Sequence, residues 1–307
     1  MNSMKEVGEM QEVKRDDLYP TRVESIVKWM RRKDPVAYQE EGNEYLTAAE
    51  IRQFNRDGFL ILPNVFNKRE LLGFNEAFGT LSKDDALVDR EEFIREPQSR
   101  EVRSIFAPHK LSRTFKNLTE DPRIKGRVDH LLDSSTYVHQ ARINAKPGFN
   151  GKEFQWHSDF ETWHAEDGMP RMRAISCLIT LTQNTAYNGA LMLIPGSQKN
   201  FIPCVGKTPE DHYKSSLRKQ EYGVPDQQSL AELYRDHGIQ VAECPPGSLI
   251  LFDCNVMHGS NSNISPLPRR NIFFVLNSTK NRLENPFSGS EPRPSFIAER
   301  NIELSGF

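Results

Sequence analysis

From Tyr137 onward the chain changes character, and that change restricts its fold more than any other feature. YVHQARINAKPGF, RAISCLITLT, GALMLIPGS, GSLILFDCNVMHGS and RRNIFFVLNST all have strand length and composition, with Gly, Pro or Asn turns between them. One helical insertion, QQSLAELYRDHG, separates the third of these from the fourth. The first third reads as helical. TRVESIVKWMRR (21–32) has apolar residues at helical spacing, and YLTAAEIRQFNRDG places Thr47 and Glu50 as a capping box with Gly58 as the stop. NKRELLGFNEAF repeats the device from Asn67 to Glu70, and RIKGRVDHLL follows Pro122. Helices and then many strands predict an α+β chain with a mainly β core, barrel or sandwich, braced by helices.

Residues 1–20 are polar and predict a flexible N-terminal segment, leaving 21–307 as a single domain with its β core at about 137–280. The charge of -2 gives no reason to expect nucleic acid or an anionic membrane as partner. No apolar run reaches the about 18 residues of a membrane span. The first twenty residues lack the apolar stretch of a secretory signal, so the cytoplasm is the expected location. Cys177, Cys204, Cys244 and Cys254 form no CxxC pair and read as small buried hydrophobes.

The chemistry gathers at EFQWHSDFETWH, 153–164. If WHSDF is a strand, its period of two points His157 and Asp159 to one face. An isolated H-x-D is more often an ordinary hydrogen-bonded pair, so a third ligand is needed. His258 supplies it, at the end of the strand in FDCNVMHGS. Two histidines and one carboxylate on one face of a metal leave three positions open, the arrangement of non-haem Fe(II) oxygenases. In RRNIFF, alternation puts Arg269, Asn271 and Phe273 on one face, and an arginine fork suits a carboxylate. In VHQARINAK, Gln140, Arg142, Asn144 and Lys146 share a face that either meets solvent or lines a cavity for charged small molecules.

His157-x-Asp159, His258, Ser260 and Arg269 resemble the pattern of the phytanoyl-CoA dioxygenase-like family of Fe(II)- and 2-oxoglutarate-dependent oxygenases. Within it, the run WHSDFETWHAEDGMPRMRAIS and the segments QARINAKPGFNGKEF, LMLIPGS and NRLENPFSG are similar to members that hydroxylate ectoine. The resemblance runs from about Tyr19 to the end. It implies a double-stranded β-helix, or jelly roll, with iron on His157, Asp159 and His258. It implies 2-oxoglutarate on Ser260 and Arg269, with Asn144, Lys146 and Phe154 completing the pocket. Ectoine would lie between the rings of Phe252 and Phe273, with polar contacts from Gln140, Thr162, Trp163 and Asn271.

The activity implied is oxygen-dependent conversion of ectoine to 5-hydroxyectoine, with succinate and carbon dioxide as co-products, in compatible-solute synthesis by a homodimer. The carboxylate of Asp159 argues against the related halogenases, in which a small residue leaves room for chloride. Gln198 stands where the family often has a histidine. Glu161 is left out of the metal set on the resemblance alone, and His164 is unassigned. The other histidines read as structural or surface residues, Phe106 is a candidate cavity residue, and Arg293 is a candidate for reaching a neighbouring subunit's site. Two rivals remain: a family member acting on another small substrate, and a non-enzymatic jelly roll that binds iron or 2-oxoglutarate as a sensor.

Overall fold

Two capped helices bracket the first strand of the core. The Thr47 side chain accepts from the backbone N–H of Glu50, whose carboxylate accepts from the N–H of Thr47, opening α1 (Ala48–Asp57). Asn67 accepts from the N–H groups of Arg69 and Glu70 and opens α2 (Lys68–Lys83), which buries Phe74, Phe78 and Leu81. Between them Gly58 turns the chain at φ +83°, where a Cβ would lie 2.5 Å from both Gln198 and Val256. Only glycine fits there. Asn67→Ala removes one exposed cap and costs about 1 kcal/mol, read as a shift in the urea midpoint with unchanged slope.

The computed structural model describes residues 17–22, 28–87, 89–96, 101–206 and 223–302. Its remaining elements in chain order begin with β1 (Met30–Arg31), β2 (Phe59–Leu62), β3 (Phe93–Arg95), β4 (Val102–Phe106), α3 (Pro108–Leu111), α4 (Arg113–Thr119) and α5 (Pro122–Leu132). Next come β5 (Thr136–Lys146), β6 (Phe154–His157), α6 (Asp159–Thr162), a π-helix (Trp163–Asp167), β7 (Ala174–Thr180), β8 (Leu191–Leu193) and β9 (Asn200–Phe201). The chain continues through α7 (Gln227–His237), β10 (Gln240–Val241), β11 (Leu249–Asp253), β12 (His258–Ser260) and β13 (Arg269–Ser278).

The strands pair antiparallel into a seven-stranded sheet, ordered β2-β11-β7-β13-β5-β4-β3, and a four-stranded sheet, ordered β10-β8-β12-β6. Alternation along each strand sorts the core into two layers. Ala141, Ile143, Ala145, Leu249, Leu251, Ile272 and Phe274 pack with Ile51, Phe54 and Phe78 of the helices. Ile250, Phe252, Phe273 and Val275 face the other way and pack with Leu191 and Leu193 of the smaller sheet. The result is the expected jelly roll with helices on one outer face. Among the described residues no helix is long and apolar enough to cross a membrane.

Two expectations change. The helix over 21–32 is not formed at its end: Met30 and Arg31 pair as a strand with Phe201 and Asn200, an edge that captures the polar-apolar alternation at that point. Residues 23–27 of that stretch, and 1–16 of the N-terminal segment, lie outside the described residues. The larger sheet also starts before Tyr137, because β2, β3 and β4 add to both of its edges.

Candidate active site

His157 closes β6 and pairs in register with His258 at the start of β12, so the two imidazoles meet with centroids 4.2 Å apart. Asp159 is not on that strand. It begins α6, and the turn through Ser158 rather than strand alternation brings its carboxylate beside them, which corrects the shared-face expectation. Phe160 fixes the turn by donating its N–H to the Cys254 carbonyl at 2.8 Å, and Ser158 Oγ donates to Asn255 at 2.9 Å. Asp159 Oδ1 lies 3.6 Å from His157 Nε2 and 3.9 Å from His258 Nε2, and the three potential ligand atoms lie within 4.8 Å of one another.

Each imidazole is oriented from behind. His157 Nδ1 donates to the Gln155 carbonyl at 2.7 Å, and His258 Nδ1 donates to the Val256 carbonyl at 2.9 Å. Those acceptors set the tautomer and leave both Nε2 lone pairs aimed inward. Ser176 Oγ donates to Asp159 Oδ2 at 3.1 Å, leaving Oδ1 toward the histidines. Burial, then the neighbouring His157, push His258 down to about 4, so its imidazole is neutral at pH 7. Burial alone would raise the Asp159 carboxyl, but His258, His157 and Arg142 outweigh it and hold it well below the usual carboxylate range. Two imidazoles and one carboxylate at this spacing fit a divalent iron.

Beside this triad β5 and β13 run in register, Lys146 against Arg269 and Asn144 against Asn271. Lys146 Nζ donates to Ser260 Oγ at 2.9 Å and to the Asn261 carbonyl at 2.5 Å, and Phe154 lies under it at 5.5 Å. Ser104 of β4 donates to Asn144 Oδ1 at 3.0 Å, a contact sequence reading missed because β4 carries no site pattern. Arg269 Nε and both amide atoms of Asn271 are buried without a hydrogen-bond partner. Unsatisfied polar atoms cost about 1–3 kcal/mol each when buried, so a cluster of them marks a place for a ligand. A dicarboxylate such as 2-oxoglutarate fits this donor set. Burial lowers Arg269 to about 10, which leaves it charged at neutral pH.

On the far side Phe252 and Phe273 meet edge to face at 5.7 Å, with Phe252 4.9 Å from His258. Two rings in mutual contact make one aromatic wall rather than a slot for a third ring. Arg142, in the polar stripe of β5 but absent from the predicted set, sits 4.4 Å over Phe273 with its Nε unpartnered. Gln140 Nε2 donates to the Ile297 carbonyl at 2.8 Å, which fixes that amide against the C-terminal segment. Thr162 and Trp163 stand at the junction of α6 and the π-helix, and Trp163 packs edge-on against His139 at 5.3 Å.

Glu161 turns away and is held by Thr21 and Arg22. His164 stacks on Phe287 at 4.0 Å and bonds Asp17, apart from the triad. Phe106 packs against Phe296. Gln198 caps the end of α1, donating to the carbonyls of Asn55 and Arg56, in keeping with its exclusion from the metal set. Arg293 binds Asp167 of its own chain through Nε at 2.7 Å and Nη2 at 2.6 Å, and its charge disfavours that of Arg142.

The phytanoyl-CoA dioxygenase (PhyH) family model matches residues 54–271, a span that contains the triad and the β5/β13 pocket. An ectoine dioxygenase of Sphingopyxis alaskensis is 50% identical over 285 residues, covering 92% of this chain and 93% of the relative. The crystal structure of EctD from S. alaskensis with 2-oxoglutarate and 5-hydroxyectoine superposes with a TM-score of 0.83 at 45% identity, covering 93% of this chain and 95% of that one. The structure of the same protein with bound Fe gives a TM-score of 0.83 at 44% identity, with the same coverage. The family model covers more than half of the chain and the relative is half identical over most of both lengths, so the chain belongs to the phytanoyl-CoA dioxygenase family.

Proposed function

We propose that this chain hydroxylates ectoine to 5-hydroxyectoine, using Fe(II), 2-oxoglutarate and oxygen, in compatible-solute synthesis. The observation that carries the reading is the cluster of orphaned buried polar atoms on Arg269, Asn271 and Arg142 beside a His-Asp-His triad. The relatives named for ectoine and solved with 2-oxoglutarate and 5-hydroxyectoine supply the substrate. The family resemblance is the ground for reading the protein as a homodimer, and the cytoplasm is the compartment that goes with compatible-solute synthesis. A single-chain mass by light scattering rejects the dimer.

His157, Asp159 and His258 would hold the iron, and their fixed orientation leaves one face of it for cosubstrate and oxygen. When bound, iron and 2-oxoglutarate supply the oxidation of one C–H bond by oxygen, with succinate and carbon dioxide as co-products. Arg269 and Ser260 hold the distal carboxylate of 2-oxoglutarate, with Lys146 and Asn144 beside it and Phe154 covering them. Ectoine, a cyclic amidinium carboxylate, lies with its cationic ring against the wall of Phe252 and Phe273. Its polar groups meet Gln140, Thr162 and Asn271, its carboxylate pairs with Arg142, and Trp163 excludes water from the reacting carbon.

Lys146 gives this pocket a measurable proton linkage. Burial, Arg269 and Arg103 push its amine down to about 6, so it is neutral at pH 8 in the empty pocket. A dianion beside it favours the charged form, so binding takes up a proton, and affinity falls as pH rises above about 6. Calorimetry at pH 8 in buffers of different ionisation enthalpy reads the uptake, and Lys146→Met removes it. Heats that do not depend on buffer reject the linkage.

The function itself is tested by mass spectrometry of purified protein with Fe(II), 2-oxoglutarate, oxygen and ectoine. Product heavier by one oxygen, with matching succinate, supports the proposal. Succinate with unmodified ectoine keeps the oxygenase and discards the substrate. Neither product from iron-loaded protein favours a sensor.

A further inference from the structure

The segment that carries Thr162 and Trp163 has an unusual geometry with an identifiable cause. α6 runs directly into the π-helix, and Glu161 and Glu166 stand five residues apart across the junction. In an α-helix residues five apart point about 140° away from each other, whereas a π turn brings them onto one face. Both carboxylates are taken by one guanidinium. Arg22 Nε reaches Glu161 Oε1 at 3.0 Å, Nη2 reaches Glu161 Oε2 at 3.1 Å, and Nη1 reaches Glu166 Oε1 at 2.7 Å.

All three residues are buried, and Arg22 takes a left-handed backbone, φ +57°, to make the contact. A non-glycine residue in that region carries strain that its surroundings must hold in place. The holders are visible. Arg22 N–H donates to the Cys204 carbonyl at 2.7 Å, and Thr21 Oγ1 donates to Glu161 Oε1 at 2.7 Å while accepting from the Cys204 N–H at 3.0 Å. Gly223, at φ +72°, closes the other side so tightly that a Cβ would meet Glu161 Oε2 at 2.8 Å and Thr162 Oγ1 at 2.9 Å. A second arginine, Arg293, grips Asp167 at the far end of the same π-helix.

We propose that Arg22 is a positioning residue for the substrate: by pulling Glu161 and Glu166 to one side it enforces the π turn, and the turn sets where Thr162 and Trp163 stand. The proposal rests on the ectoine reading above and deepens it. Without the bridge, relaxation toward α geometry would rotate the residues after Thr162 by about 100° per residue of register lost. Trp163 would then leave its place against His139, while the triad and the β5/β13 pocket, held by the separate hydrogen bonds described above, would keep theirs.

The test is Arg22→Lys, which retains the charge but presents a single ammonium in place of a fork that bridges two carboxylates. The expected result is a KM for ectoine raised by at least about tenfold, with kcat falling by no more than about threefold. Iron affinity and the KM for 2-oxoglutarate in substrate-free succinate formation stay near wild type. Glu166→Gln, which keeps shape while weakening one arm, shifts the ectoine KM in the same direction, and the double variant is less than additive. Parallel loss across ectoine, 2-oxoglutarate and thermal stability overturns the proposal in favour of a purely structural ion pair. If Arg22→Lys does not fold, Thr21→Val and Glu166→Gln carry the test, and an unchanged ectoine KM in both overturns it. A wild-type enzyme inert on ectoine overturns the substrate reading and this inference with it, whereas an active wild type matched by Arg22→Lys overturns this inference alone.

Discussion

Asp159→Ala lowers turnover by about a thousandfold or more, equivalent to about 4 kcal/mol of barrier, while the chain stays folded. Asp159 is the only carboxylate in the triad, so its loss leaves two imidazoles and no anionic group to hold a dication. The fold survives because the removed side chain lies at the head of a four-residue helix, and the turn that positions it is held by backbone contact between Phe160 and Cys254. The decisive pair of measurements is iron content after dialysis and succinate formation. A variant that keeps wild-type iron affinity and turnover would remove Asp159 from the metal set.

Arg32→Met destabilises the protein by about 3–5 kcal/mol. Arg32 Nη1 meets Asp253 Oδ1 at 2.6 Å with both side chains buried, and its other donors satisfy the carbonyls of Asp34, Pro35 and Met172. Asp253 ends β11, and the same Oδ1 accepts the N–H of Asn255 in the turn that leads to His258. Truncating Arg32 therefore leaves a buried carboxylate without its cation, directly upstream of a metal ligand. The double variant Arg32→Met, Asp253→Leu recovers much of the loss, because a buried pair replaced by apolar groups is often neutral. Chemical denaturation reads both, and a single variant within about 1 kcal/mol of wild type would show that the pair does not anchor the strand.

The difference between these positions and others explains what the sequence could disclose. Strands such as RRNIFF were legible because their alternation continues unbroken, and the same alternation placed Arg269, Asn271 and Phe273 on the inner face. The helix starts at Thr47 and Asn67 were legible because capping is local chemistry. His157 and Asp159 were found for a reason that did not hold, since the strand ends between them; a one-residue turn and a two-residue alternation bring the same two side chains together. Ser104, Ser176 and Arg32 carry no local signature. Their bonds to Asn144, Asp159 and Asp253 span 40, 17 and 221 residues of chain. Arg142 was in plain view as part of a polar stripe, but only its burial beside Phe273 distinguishes it from a solvated arginine.

The attachment of Gln140 to Ile297 has a consequence for biosynthesis. A ribosome delivers His258, the last of the triad, roughly forty residues before Ile297, and residues 293–299 supply Arg293 for Asp167 and the N–H of Glu299 for the His139 carbonyl. The chamber lining is thus closed by contacts that span 126 and 157 residues of chain, and a chain that carries all three triad residues but stops short of Arg293 lacks them. In chain order the lining of this site is the last part to be supplied, after every residue of the ligand set.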